Sequence, residues 1–225
     1  MSQAIGDTLP LAIGVALSPM PIIAIVLMLG TPQARTNGPS FAVGWLAGLT
    51  AVGSITLVLA SGNAAADSGG PATWASALKL VFGALFLLLA ARIWHGRPRP
   101  GEEVQMPKWM TSIDGLSAGR SFGLGAVLSG LNPKNLALTV AAATAIAQTG
   151  ISGGEKGAAL SVFVILGSLT ILAPVAVYFL MGARAKEILE GLKVFMAADN
   201  AAIMTVLLLV LGAKLIGDAM AGFGS

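Results

Sequence analysis

The sequence predicts an all-α membrane protein with six transmembrane helices. We expect two inverted three-helix repeats, with the first and the fourth helix broken. Three observations predict this fold: the composition, the spacing of the apolar segments, and a proline motif that occurs once in each half. Of the 225 residues, 56% are hydrophobic and 10% are charged, and the mean hydropathy is +0.85. Soluble domains carry about 25% charged residues, so a chain this apolar belongs in a bilayer.

Six apolar segments are each long enough to cross a bilayer, since about 20 residues of helix span its hydrocarbon core. They lie near residues 8–30, 40–60, 74–94, 122–147, 157–182 and 200–221. If these spans alternate in direction, one side of the membrane collects nine Lys and Arg residues and the other side collects one. The positive-inside rule then places both termini outside and the two longer connections in the cytoplasm.

The connection 95–121 is a cytoplasmic linker between a first three-helix repeat, 1–94, and a second, 122–225. Its first part is polar and has no periodicity. Its second part, around residues 107–116, has apolar residues at helical spacing. We therefore expect a short amphipathic helix there, lying at the cytoplasmic interface of the membrane. A similar pattern over 185–196 predicts a second helix of this kind.

Each half of the chain opens with the same short motif, Gly-x-x-Leu-Ser followed by a proline, inside an apolar segment. The two copies contain Ser18-Pro19-Met20-Pro21 and Ser129 with Asn132-Pro133-Lys134-Asn135. Proline removes a backbone donor and disfavours helix at the preceding residue, so both helices break. Paired broken helices at equivalent positions of inverted repeats mark transporter binding sites. We expect the two breaks to meet near the membrane centre.

Lys134 places a positive charge near the middle of an apolar segment, where charged residues face a bundle interior or a wet cavity. Three roles stay open for it. It binds an anionic part of a substrate, such as a carboxylate or phosphate; it carries a proton during antiport; or it caps carbonyls of the broken helix as a structural residue. Neutral donors and acceptors accompany it at Ser18, Ser129, Asn132 and Asn135.

Small residues in the second apolar segment predict close helix packing. Gly44 and Gly48 are spaced as a small-xxx-small pair, which lets two helix backbones approach closely. Packing inside the bundle is favoured over a contact between two copies. We nevertheless also expect a homodimer, because outward faces of such helices often pair.

Signatures of enzymes and of nucleic-acid binding are missing from the sequence. It contains no G-x-x-x-x-G-K-[ST] phosphate loop and no H-E-x-x-H pair, and its single histidine, His95, and lack of cysteine exclude the common zinc sites. The net charge of +3 reflects membrane-flanking residues rather than a nucleic-acid partner. We expect no enzymatic activity, no cofactor and no metal, so a transporter is favoured by elimination.

The sequence around residues 107–136 resembles a known family. The matching residues are Pro107-Lys108-Trp109, Ile113-Asp114, Gly119-Arg120, Phe122-Gly123-Leu124-Gly125, Leu128-Ser129 and Asn132-Pro133-Lys134-Asn135-Leu136. They are similar to the GAP family, the peptidoglycolipid or sulfolipid addressing proteins of actinobacteria, which belongs to the lysine-exporter superfamily. The Asn-Pro-Lys core and an early Ser-Pro, here Ser18-Pro19, also occur in amino-acid exporters of that superfamily.

The resemblance implies a six-span secondary exporter of the bacterial inner membrane that moves a cell-envelope glycolipid, or a component of one, outward. Its partner would be a lipid or amphiphilic small molecule. Amino-acid exporters of the superfamily usually show Pro-Gly-Pro in the first span, where this chain has Pro19-Met20-Pro21. The bulkier Met20 fits the glycolipid branch better. An exporter of a small amino acid or related solute, and a non-transporting accessory to a lipid flippase, stay as alternatives.

Overall fold

The regular secondary structure is helical throughout the part of the chain that the computed structural model describes, residues 1–66, 73–97, 113, 115–198 and 200–223. The nine helices of these ranges are α1 Ser2–Ala16, α2 Pro19–Leu29, α3 Ala34–Ala66, α4 Thr73–His95, α5 Ala118–Gly130, α6 Pro133–Ala147, α7 Gly153–Met181, α8 Ala185–Ala198 and α9 Asn200–Phe223. The amphipathic helix predicted around 107–116 lies almost entirely outside the described residues.

Four helices are long and apolar enough to cross a membrane. They are α3 over Ala34–Ser61, α4 over Ser76–His95, α7, and α9 over Ala201–Phe223. Helices α1 and α2 qualify together as a fifth span, bent by 54° at their junction. The predicted 122–147 segment is divided between α5 and α6, which have 13 and 15 residues. Each is shorter than the roughly 20 residues that cross a bilayer core alone.

Both predicted helix breaks fall at the motif prolines. Ser18 precedes α2 in an extended conformation, with φ −101° and ψ 100°, and Pro19 is the first helical residue. Asn132 holds the equivalent place before α6, with φ −66° and ψ 122°, and Pro133 follows it. Proline suits the first helical position because its missing N–H would have no intrahelical partner there. The first backbone N–H groups of a helix have no intrahelical acceptor. The Asn132 side chain satisfies one of them by accepting a hydrogen bond from the Lys134 backbone N–H at 3.0 Å.

Helix α3 packs closely against α5 because glycines stand at their crossing. A Cβ atom on Gly44 would overlap the backbone of Phe122, and one on Gly48 would overlap Ser129 Oγ. Gly125 lies equally close to the Phe41 carbonyl from the other side. The small-xxx-small pair therefore packs inside the bundle, as the sequence predicts. Helix α1 packs mainly on α6 and α7, and α4 packs on α9.

Many of the exposed side chains on the described helices are large and apolar. On α3, Ile55, Val58 and Leu59 are exposed, while Phe41 and Trp45 of the same helix are fully buried. Such faces suit contact with lipid chains rather than with water. Helix α8 buries one apolar face against α2 and α7 and leaves a second apolar face exposed. The buried residues include Leu189 and Met196, and the exposed ones Ile188, Val194 and Phe195.

Candidate functional site

The two helix breaks meet through direct hydrogen bonds between their side chains. Lys134 Nζ donates to Ser18 Oγ at 2.6 Å and to the Gly14 carbonyl at 2.7 Å. Ser18 Oγ in turn lies 3.0 Å from Asn135 Oδ1 and 2.8 Å from the Val15 carbonyl. A hydroxyl has one proton, so Ser18 donates to one of these two acceptors at a time. The start of α6 is thus bonded to the end of α1.

Asn135, in the first turn of α6, links α6 both to α5 and to Ser18 at the first break. It is fully buried, its Oδ1 faces Ser18, and its Nδ2 donates to the Leu128 carbonyl of α5 at 3.0 Å. That carbonyl lies in the last turn of α5, where carbonyls have no intrahelical partner. Asn135 therefore stabilises the junction through these two hydrogen bonds without lining the cavity between the helices, whereas Lys134 faces that cavity.

The amine of Lys134 is buried without a carboxylate partner among the described residues. The residue is 5% exposed, and the two ion pairs found in that part of the chain lie on α8 and α9. Buried charges are normally paired, because an isolated charge loses its hydration without compensation. The ammonium group has three donors, and its two hydrogen bonds leave one of them unused.

A cavity of about 490 Å³ lies beside this ammonium group. We call it the Lys134 cavity. Its lining residues are Ser18, Pro19, Met20, Pro21, Leu89, Arg92, Ile93, Gly96, Arg97, Asn132, Lys134, Ala201 and Met204. Its volume falls in the range of small-molecule sites, roughly 300–1,000 Å³. Both helix breaks contribute to its lining, together with α4, the two residues that follow α4, and α9.

The lining of the Lys134 cavity combines polar groups with an apolar wall. Ser18, Asn132 and Lys134 supply the polar groups, whereas Leu89, Ile93 and Met204 form the apolar wall. Two further cations, Arg92 and Arg97, lie at the end of α4, and the described lining contains no carboxylate. Arg97 is held in place, because its guanidinium lies 3.8 Å from the Trp94 ring centroid and donates to the Trp94 carbonyl at 2.8 Å.

Six of the nine residues predicted for the site line this cavity: Ser18, Pro19, Met20, Pro21, Asn132 and Lys134. Asn135 stands behind them. Pro133 begins α6 and is exposed outside the cavity. Ser129 is also elsewhere: it is buried in the contact between α5 and α3, where its hydroxyl donates to the Ala126 carbonyl at 3.1 Å.

Sequence reasoning missed the two arginines and the apolar wall. The sequence indicates Arg92 and Arg97 only as basic residues at the flank of a membrane span. Their sequence signal is that Arg92 lies at the end of the third apolar segment, 74–94, and that Arg97 follows this segment within a few residues. Only the packing of α4 alongside the start of α6 shows that these charges share a cavity with Lys134.

A second cavity of about 360 Å³ lies at the other end of the same helices. We call it the Gln148 cavity. Its lining residues are Met1, Gln3, Ala4, Asp7, Lys79, Ala145, Gln148, Thr149, Gly150 and Ile151. Along α6, Lys134 and Gln148 are separated by roughly 21 Å at 1.5 Å per residue. Helices α1, α4 and α6 all run between the two cavities.

The Gln148 cavity contains charges of both signs. Asp7 and Lys79 line it without forming an ion pair, and the buried Nε2 of Gln148 has no hydrogen-bond partner among the described residues. Lys79, near the start of α4, lies half-buried at this cavity.

Fold and site together define a class: a multi-pass membrane protein in which two proline-broken helices meet at a buried lysine beside a cavity. The sequence matches the family model of Sap, sulfolipid-1-addressing protein, over residues 8–221. The chain belongs to this family, which confirms the resemblance seen in the sequence. Comparisons with curated proteins and with solved structures find no match.

Proposed function

We propose that the protein is a secondary-active exporter of the bacterial inner membrane. It moves a cell-envelope glycolipid, or a lipid component of one, outward through a cavity between two inverted three-helix repeats. One observation carries the proposal: Lys134 is buried without a counter-charge where two helix breaks border one cavity. Intramembrane ionisable residues and paired broken helices are both typical of transport pathways. Membership of the sulfolipid-1-addressing family supports a lipid as cargo.

The packing of the helices supports the inverted repeat. In that arrangement α1–α2 corresponds to α5–α6, α3 corresponds to α7, and α4 corresponds to α9. Each first half-helix packs on the long helix of the other repeat: α1 on α7, and α5 on α3. Helices α4 and α9 pack on each other. This exchange is expected when two repeats are related by an axis in the membrane plane. Six spans result when each broken pair crosses once.

The basic residues orient this arrangement in the membrane. Arg92 and Arg97 place the Lys134 cavity toward the cytoplasm by the positive-inside rule. The Gln148 cavity and both termini then face outward. With this orientation, α1 and α4 would run from the outside to the cytoplasm, and α6 would run in the opposite direction, as alternating spans require. Helix α8 would lie at the cytoplasmic interface with its exposed apolar face toward lipid.

The polar groups and the apolar wall of the Lys134 cavity favour an amphiphile over a small amino acid. The polar end of an amphiphile would contact Lys134 and Asn132, and its apolar part would cover Leu89 and Met204. A small amino acid would leave much of the apolar wall against water. Because apolar burial contributes about 25 cal/mol per Å², that wall favours the larger ligand. Transport needs no chemical step, so the proposal includes no catalysis, cofactor or metal.

The experiment is reconstitution of the purified full chain in liposomes with a fluorescent anionic glycolipid, NBD-labelled sulfatide. Transbilayer movement is followed by dithionite quenching. We expect movement with the wild type and its loss in Lys134→Ala. Lys214→Ala is the matched control, because Lys214 forms a surface ion pair with Asp218 and lines neither cavity. Unchanged movement in Lys134→Ala protein that is still monodisperse would contradict the proposal.

The same liposomes separate the alternatives. Radiolabelled lysine or threonine that moves while the glycolipid does not would identify an exporter of small solutes. Movement of none of these probes by the pure protein would favour an accessory role beside a lipid flippase.

A further inference from the structure

We propose that Arg92 and Arg97 are specificity-determining residues that make the Lys134 cavity select amphiphiles with a negatively charged polar end. This inference rests on the proposed function in one respect only: it takes the Lys134 cavity as the place where cargo binds. It adds the charge of the cargo and two residues that recognise it.

The first argument is a contrast in charge between the Lys134 cavity and other surface concavities of the described chain. Three basic residues line the Lys134 cavity and no described carboxylate accompanies them. The Gln148 cavity combines Lys79 with Asp7. A groove along α8 combines Lys186 with Glu187 and Glu190. Cations beside the membrane are therefore accompanied by acids at these other places, so position at a membrane flank does not explain the Lys134 cavity.

The second argument is that one of the arginines is fixed in place. Arg97 stacks on Trp94 and donates one guanidinium N–H to the Trp94 carbonyl. A guanidinium group has five N–H donors, so several remain available toward the cavity. A fixed, planar donor loses little conformational freedom when it binds a carboxylate, phosphate or sulfate group, and it can do so with two parallel hydrogen bonds.

The third argument is the arrangement of the cations within the cavity. Lys134 is deeply buried at the helix breaks, whereas Arg92 and Arg97 are exposed at the end of α4. A cleft lined by one sign of charge with apolar walls concentrates its field and attracts the opposite charge. An anionic polar end would meet the two arginines at the mouth and the ammonium group of Lys134 further in.

The test measures binding without transport. Purified full-length protein in detergent is titrated with three NBD-labelled lipids: anionic phosphatidylglycerol, zwitterionic phosphatidylcholine and neutral glucosylceramide. We expect phosphatidylglycerol to bind at least about tenfold more tightly than the other two, as one to two charge-assisted hydrogen bonds provide. The double variant Arg92→Gln/Arg97→Gln should lose about tenfold in affinity for phosphatidylglycerol and keep its affinity for the other lipids.

Two further variants show whether the effect belongs to these positions. Arg184→Gln/Lys186→Gln removes the same charge from exposed residues that do not line the Lys134 cavity, and it should bind like the wild type. Arg92→Lys/Arg97→Lys keeps the charge but lacks the planar donors. Its affinity for phosphatidylglycerol should lie between those of the wild type and the neutralised variant, which a merely misfolded protein would not show.

Equal binding of the three lipids, or an equal loss in both neutralised double variants, would overturn the inference even if the liposome assay shows export. Selective binding in a protein that moves no lipid would leave it standing and would refute the exporter. If glycerol 1-phosphate, which has no acyl chains, bound as tightly as phosphatidylglycerol, the amphiphile part would be wrong.

Discussion

The Lys134 cavity and the Gln148 cavity lie at opposite ends of the same three helices but differ in electrostatics. The first has three cations and no described acid in its lining, and the second has one cation and one acid. Between them the interior is packed, with Leu138 and Leu211 filling the space at Gly14. On the proposed function, an anionic group would be attracted to the Lys134 cavity and would meet no net attraction at the Gln148 cavity.

The largest expected effect comes from placing a carboxylate in the Lys134 cavity. Met20→Glu puts a negative charge beside Lys134 and competes with an anionic ligand, and like-charge contacts in such sites cost several kcal/mol. We expect affinity for NBD-phosphatidylglycerol to fall by about 100-fold. Met20→Gln has nearly the same shape and no charge, and it should lower this affinity by less than about threefold. Similar losses in the two variants would mean that charge does not govern binding there.

The two cavities are expected to open to opposite sides of the membrane. The wild type has no cysteine, so single-cysteine variants can be labelled without background. An impermeant maleimide applied to spheroplasts should label Thr149→Cys at the Gln148 cavity at least about tenfold faster than Gly96→Cys at the Lys134 cavity. Permeabilising the membrane should remove this difference. Fast labelling of Gly96→Cys in intact spheroplasts would show that the orientation is reversed.

A smaller effect is expected when the Gln148 cavity is made positive. Asp7→Asn leaves Lys79 without a nearby opposite charge, so an anionic group would be retained longer at that end. In liposomes, the rate of NBD-phosphatidylglycerol movement should fall about threefold, the size of a weak exposed charge interaction. Its affinity in detergent should stay unchanged, because the Lys134 cavity is intact. A faster rate would contradict a releasing role for this end.

Removing the Ser18 hydroxyl tests how the breaks are held together. In Ser18→Ala, Asn135 Oδ1 and Lys134 Nζ each lose a buried hydrogen bond. We expect the free energy of unfolding to fall by about 1–3 kcal/mol, the usual cost of leaving a buried polar group unpaired. Thermal denaturation in detergent would measure it, and Ser161→Ala, which removes a hydroxyl from an exposed site on α7, serves as control. Equal stability of the two variants would mean that the junction contributes little.

The smallest effect is expected at Gln148 itself. Its Nε2 atom is buried and unpartnered among the described residues, so Gln148→Met removes an unsatisfied donor while keeping the shape. We expect the free energy of unfolding to change by less than about 1 kcal/mol, in the stabilising direction. A loss larger than that would indicate that the amide binds a structural water or ion.

The sequence predicts the helix breaks well because proline chemistry is local. Pro19 and Pro133 interrupt a helix through their own backbone geometry, independently of the surrounding fold. A lysine in the middle of an apolar segment must face the interior of the bundle rather than lipid. The sequence does not predict which neighbours reach the same space. Ser129 was placed in the site because it belongs to the motif, but a helix turns about 100° per residue and α5 directs Ser129 toward α3. Whether Arg92 and Arg97 reach the Lys134 cavity depends on where the end of α4 lies in the fold, and local sequence patterns do not determine this.

The most direct measurement of the central claim is photocrosslinking with an anionic lipid that carries a diazirine next to its phosphate group. Peptide mapping of the labelled wild-type protein should find adducts at residues of the Lys134 cavity, such as Met20, Ile93 and Met204. The labelling should disappear in Lys134→Ala/Arg92→Gln/Arg97→Gln protein. Adducts found only on outward faces, for example at Ile55, Val58 and Leu59, would contradict binding between the two helix breaks.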